Sequence, residues 1–141
     1  MSRLLASLFS VLCLLSSVPC YAHSDEYLDS QPTPHGGQMH MAGPYHFELL
    51  AQPNELTVYL TDHAGAKIPS SGATGNATVL SGKTKASIKL QPSGDNVLKG
   101  SGQFELAPDM KVVVSVTMPG KSPEQARFTP QQKAAAMPMR H

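Results

Sequence analysis

The sequence predicts an all-β fold, an immunoglobulin-like or cupredoxin-like β-sandwich of about seven short strands. Two observations carry that expectation. Short runs in which apolar and polar residues alternate recur along residues 44–130, the period of a half-buried strand. Between the runs lie clusters of Gly, Pro, Ser, Asn and Asp, the residues that tight turns require.

Each element follows from its own pattern. Tyr45, Phe47 and Leu49 alternate with His46 and Glu48, and Leu56, Val58 and Leu60 share the next strand face. Asp62 to Gly65 closes that strand with a turn, and a Gly/Ser-rich connection from Pro69 to Gly75 precedes Ala77 to Leu80. Ser81-Gly82-Lys83 reads as a hairpin turn before the clean alternation of Ala86, Ile88 and Leu90. Pro92 to Asn96 is a dense turn cluster. Val97 to Glu105 reads as a strand weakened by Gly100 and Gly102, which point to a bulge or a close backbone approach. Lys111 to Met118 is the strongest strand, rich in β-branched residues. Pro119-Gly120 ends it, and Ala126 to Thr129 is the last strand. Met110 and Met118 belong to the core of the domain on this reading.

The flanks have a different character. Residues 1–22 read as a secretory signal peptide: Arg3 supplies the positive start, Leu4 to Val18 the apolar stretch, and Cys20-Tyr21-Ala22 an A-x-A-like cleavage site. That stretch is shorter than the roughly 20 residues needed to span a bilayer, and no second one follows, so no membrane span is expected in the mature chain. Pro19, where a small residue would precede a lipidated Cys20, argues against a lipoprotein. The expected product is periplasmic. Residues 23–43 read as a flexible leader, 44–130 as the sandwich and 131–141 as a flexible tail.

Export changes the chemistry that is left. Of 141 residues, 22 leave with the signal and 119 remain, enough for one domain with its own core. Cys13 and Cys20 both leave, so the mature chain has no disulfide, thiolate nucleophile or thiolate metal site. Losing Arg3 from the eleven Lys and Arg leaves ten against ten Asp and Glu, with no basic patch, so a nucleic-acid partner is not expected. Without a cysteine, a blue-copper electron carrier is also not expected.

The densest chemistry is a run of His and Met. Five of the twelve residues from His35 to His46 are of these two types: His35, Met39, His40, Met41 and His46. Imidazole nitrogen and thioether sulfur are neutral, borderline-to-soft donors suited to Cu(I) and Ag(I), with Cu(II) and Zn(II) as alternatives. In an extended chain Met39 and Met41 point one way and His40 the other, so all three converge only if the chain turns. His46 should face away from the core, toward solvent or the leader, and His63, at a strand end, could approach the same rim. Weaker candidates are the new N-terminus at His23, whose amine and imidazole can chelate Cu(II), and Met137, Met139 and His141 in the tail.

No catalytic constellation stands out. There is no Gly-x-Ser-x-Gly elbow, the carboxylates are scattered singly, and the glycines mark β-turns and not a phosphate loop. An enzyme is not expected.

A set of short motifs gives a family resemblance. These are Pro34-His35-Gly36-Gly37, Phe47-Glu48-Leu49, Val58 through Thr61-Asp62-His63, Leu90-Gln91-Pro92-Ser93-Gly94-Asp95-Asn96-Val97-Leu98 and Ala126-Arg127-Phe128. They resemble small exported bacterial proteins associated with RND-type heavy-metal efflux systems, and segments near the N-termini of some periplasmic efflux adaptors. The resemblance spans residues 34–129 and implies a periplasmic accessory role in metal handling, the metal unspecified, with components of an RND efflux system as partners. His35 is the matching position with ligand potential. Met39, His40, Met41 and the tail rest on residue chemistry alone.

The combined expectation is a periplasmic protein that buffers or delivers a transition-metal ion, Cu(I) or Ag(I) preferred, through His35, Met39, His40, Met41, His46 and His63. The competing class is a metal-free interaction module docking an efflux adaptor or envelope partner through its sheet. An ordered leader packed on the sheet would favour that alternative.

Overall fold

The computed structural model describes residues 25–131. Over that span the chain is nearly all β, with one short helix and eight strands. The helix α1 is Asp25–Asp29; the strands are β1 Gln38–Ala42, β2 Tyr45–Gln52, β3 Glu55–Asp62, β4 Thr74–Ser81, β5 Thr84–Pro92, β6 Val97–Ser101, β7 Lys111–Thr117 and β8 Glu124–Phe128. Residues 1–24, with the expected signal peptide, and residues 132–141 of the expected tail lie outside the described residues.

All seven expected strands are present, and an eighth is added. The strands run antiparallel in the order β1-β2-β3-β6-β5-β4-β7-β8. The middle join is thin: β5 pairs with β4 along Thr84 to Leu90, and only Gln91 and Pro92 pair with β6. The sheet folds there into two layers, and its two edges, β1 and β8, come to lie against each other.

Alternation sets what lies between the layers. Phe47, Leu49, Leu56, Val58 and Leu60 from one layer meet Val79, Ile88, Leu90, Val112, Val114 and Phe128 from the other, all almost fully buried. Removing a side chain of this size from water stabilises a fold by roughly 1.5–3 kcal/mol. Met110 and Met118 are buried in the same cluster, as expected. The weakened strand ends earlier than its pattern implies, at Ser101. Gly100 there marks a close backbone approach, since a Cβ would run into the Lys89 carbonyl.

The leader departs from expectation. Residues 38–42 form β1, closed onto β2 by the two-residue turn Gly43-Pro44, with Gly43 at φ 57° as a II′ hairpin turn requires at its first central position. Its pattern is inverted relative to the other strands. Gln38, His40 and Ala42 face inward and are buried, while Met39 and Met41 face outward and are half-buried.

Polar side chains on β1 can face inward because they join the two edges of the sheet. The His40 Nδ1–H donates to the Arg127 carbonyl of β8, and the Thr129 amide donates to Gln38 Oε1 at 2.7 Å. The His40 ring stacks on Phe128 with centroids 5.2 Å apart. At the seam, α1 packs along the strand's free edge. The Met41 amide donates to Asp25 Oδ1 at 2.9 Å, and Gln38 Nε2 and His40 Nε2 both reach Asp29 Oδ1 at 2.9 Å. Leu28 is the buried anchor of this helix. An edge strand that would otherwise present unpaired amides is thereby protected.

Candidate functional site

The outer face of the β1-β2-β3 layer carries the candidate site, and strand register builds it. Met41 is paired with His46, and His46 with Thr61; one row along, Met39 is paired with Glu48, and Glu48 with Tyr59. Cross-strand partners on one face hold their Cβ atoms about 4.5–5.5 Å apart. Each thioether of β1 therefore stands beside a polar side chain of β2.

Two loops close over these rows. The turn after β3 is shaped by Asp62, whose Oδ1 accepts the amides of Ala64 and Ala66, each at 2.9 Å. It carries His63 to within 4.6 Å of His46, ring centre to ring centre, with the rings tilted by 58°. His63 Nε2 donates to the Gly43 carbonyl at 3.0 Å, which leaves Nδ1 as the donor nitrogen of the neutral ring. His46 is buried beneath this turn and His63 is exposed.

The second loop is Pro34 to Gly37. Glu48 is 1% exposed and anchors it with both oxygens. Oε2 accepts the amides of His35 at 3.0 Å and Gly37 at 2.9 Å, and Oε1 accepts His35 Nδ1–H at 2.9 Å. The His35 ring lies flat on Tyr59, centroids 3.6 Å apart and 5° from parallel. Both glycines are required. Gly36 has φ 77°, and a Cβ on Gly37 would collide with the Leu49 carbonyl.

Five of the six main sequence-predicted ligands, His35, Met39, Met41, His46 and His63, thus belong to this one face. His40 does not, because β1 stays extended and turns His40 inward to the seam with Asp29 and Arg127. His23, Met137, Met139 and His141 lie outside the described residues. Sequence reading did not single out Glu48 and Tyr59, which orient His35. The signal was their position: each alternates onto the polar face of its strand.

Among the described residues, no group of three or more His, Cys, Asp or Glu side chains is arranged to hold a metal ion. What this face carries is a mixed set: two imidazoles in ring contact, His46 and His63, and Met41 paired with His46 across the strands, with Met39 and His35 one row away. Among the same residues no helix is long and apolar enough to cross a membrane. The chain matches no family model, no curated protein and no solved structure.

Proposed function

We propose that the chain is a periplasmic metal-handling protein that binds Cu(I) or Ag(I) on the outer face of β1-β2-β3 and passes the ion on, as an accessory to heavy-metal efflux. The observation that carries this reading is the register that sets Met41 opposite His46, with His63 folded against it. His46, His63 and Met41 are the inner donors; Met39 and His35 extend the set along the same face. All five are neutral donors when deprotonated at nitrogen, and thioethers favour soft monovalent ions over Zn(II). His63 is exposed and Met41 half-buried, so an ion held here is open to exchange with a partner.

The test is a Cu(I) competition titration against a chromogenic chelator under reducing conditions, comparing wild type with Met41→Ala, His46→Ala and His63→Ala. Loss of competition in each variant supports the site, and unchanged competition in all three rejects it.

The second reading is a metal-free interaction module. The observation in its favour is the ordered leader: β1 is hydrogen-bonded into the sheet and α1 is docked on it. On that reading the three Ala variants retain whatever adaptor or envelope partner the wild type binds, and Cu(I) has no effect on the association.

A further inference from the structure

We infer that Glu48 is a positioning residue for metal binding: it fixes His35 as the Nδ1–H tautomer and leaves Nε2 as the ligating nitrogen. This rests on the metal-binding reading above and assigns a residue outside its donor set.

The geometry gives the carboxylate two separable tasks. Oε2 holds the loop through two backbone amides, those of His35 and Gly37. Those bonds are indifferent to the side chain at position 35. Oε1 is engaged by the His35 ring itself, at 2.9 Å from Nδ1. A carboxylate can only accept, so the proton of the neutral imidazole sits on Nδ1 and the lone pair on Nε2. Turning the ring over would put carbon against Oε1, and the parallel stack on Tyr59 restrains any intermediate tilt. The His35 side chain is 40% exposed while that of Glu48 is 1% exposed, so the ring reaches the surface from a buried anchor.

Carboxylate to histidine to metal is the arrangement by which proteins orient imidazole ligands and raise their basicity; losing the carboxylate costs roughly 10- to 100-fold in metal affinity. A buried negative charge beside neutral donors also balances a monovalent cation. Glu48 stands directly opposite Met39 in the β1-β2 register, so the oriented ring and that thioether flank one carboxylate.

Glu48→Gln separates the two tasks. A glutamine carbonyl still accepts the two amides, but its NH2 group donates toward His35 Nδ1 and favours the Nε2–H tautomer. The experiment is two-bond proton–nitrogen NMR of the metal-free chain from residue 23 onward, with Cu(I) competition titrations on wild type, Glu48→Gln and His35→Ala. The inference expects Nδ1–H at His35 in wild type, Nε2–H in Glu48→Gln, and a Cu(I) affinity about 10- to 100-fold weaker in both variants. Wild-type His35 carrying its proton on Nε2 overturns the inference even if Glu48→Gln fails to fold. So does a folded Glu48→Gln, or a His35→Ala, that binds Cu(I) as tightly as wild type. Wild type that binds no Cu(I) overturns the functional reading itself, which the tautomer measurement does not touch.

Discussion

Met41 on β1 stands directly opposite His46 on β2, and the ring of His63 rests 4.6 Å from that of His46. Three residues from separate sequence positions meet because one hairpin and one Asx-shaped turn bring them to the same face. A ligand set held this way is fixed by a sheet, whereas the same residues in a mobile leader would have to wrap the ion. On the proposed metal-binding reading, the ordering cost is met by folding, before the ion arrives.

The inner donors are expected to act as a unit. His46→Ala and His63→Ala should each weaken Cu(I) binding, and the double variant should lose little more than the worse single one, as coupled residues are non-additive. A double-mutant cycle read by competition titration measures this. Losses that simply add would show that the two rings do not share an ion.

His40 should matter for stability and not for the metal. Its ring nitrogens face the Arg127 carbonyl and Asp29, on the other side of β1 from the two Met side chains. His40→Ala should destabilise the fold by about 1–3 kcal/mol, because it removes a buried ring and both of its hydrogen bonds at the seam. Urea unfolding reads the stability, and the Cu(I) titration should stay close to wild type.

The His-Gly-Gly step should tolerate no side chain at its second glycine. Gly37→Ala places a Cβ against the Leu49 carbonyl and should cost about 1–3 kcal/mol, as overpacking does. Gly36→Ala, at φ 77° with open space around it, should cost about 1–2 kcal/mol from the left-handed backbone alone. Thermal or chemical denaturation of the two variants separates these mechanisms, and it also reads the loop that holds His35.

Binding should weaken as the solution is acidified. An imidazole ligates only when its donor nitrogen is deprotonated, whereas a thioether carries no proton, so protons compete with the ion for imidazole donors and not for thioethers. Titrations from neutral to mildly acidic pH should show a falling affinity in wild type. The slope should flatten when His46 and His63 are both replaced. A profile that rises toward acid would contradict imidazole ligation.

Most of the sandwich was legible because its strands bury apolar residues on one face. Phe47 and Leu49, or Val112, Val114 and Val116, announce themselves by alternation. β1 was not legible for the converse reason. Its inward polar residues are Gln38 and His40, stabilised by hydrogen bonds to nearby Asp29 and, across 87 and 91 positions, to Arg127 and Thr129, and its outward residues are methionines. Hydrophobic periodicity read in the usual sense therefore shows nothing there. The opposed directions of Met39 and His40 follow from strand geometry and were foreseeable. The approach of His63 to His46 was foreseeable only as an opportunity, since it depends on which strand lies beside β2. Glu48 looked like an ordinary surface carboxylate on an alternating strand, and only the loop that folds over it reveals its task.

The most direct test of the central claim is a Cu(I) competition titration of the protein, wild type against a variant with Met41, His46 and His63 all changed to Ala. The account predicts near-stoichiometric binding in wild type and an affinity lower by more than about tenfold in the variant, with the fold intact by circular dichroism. Equal competition by a folded variant would contradict it.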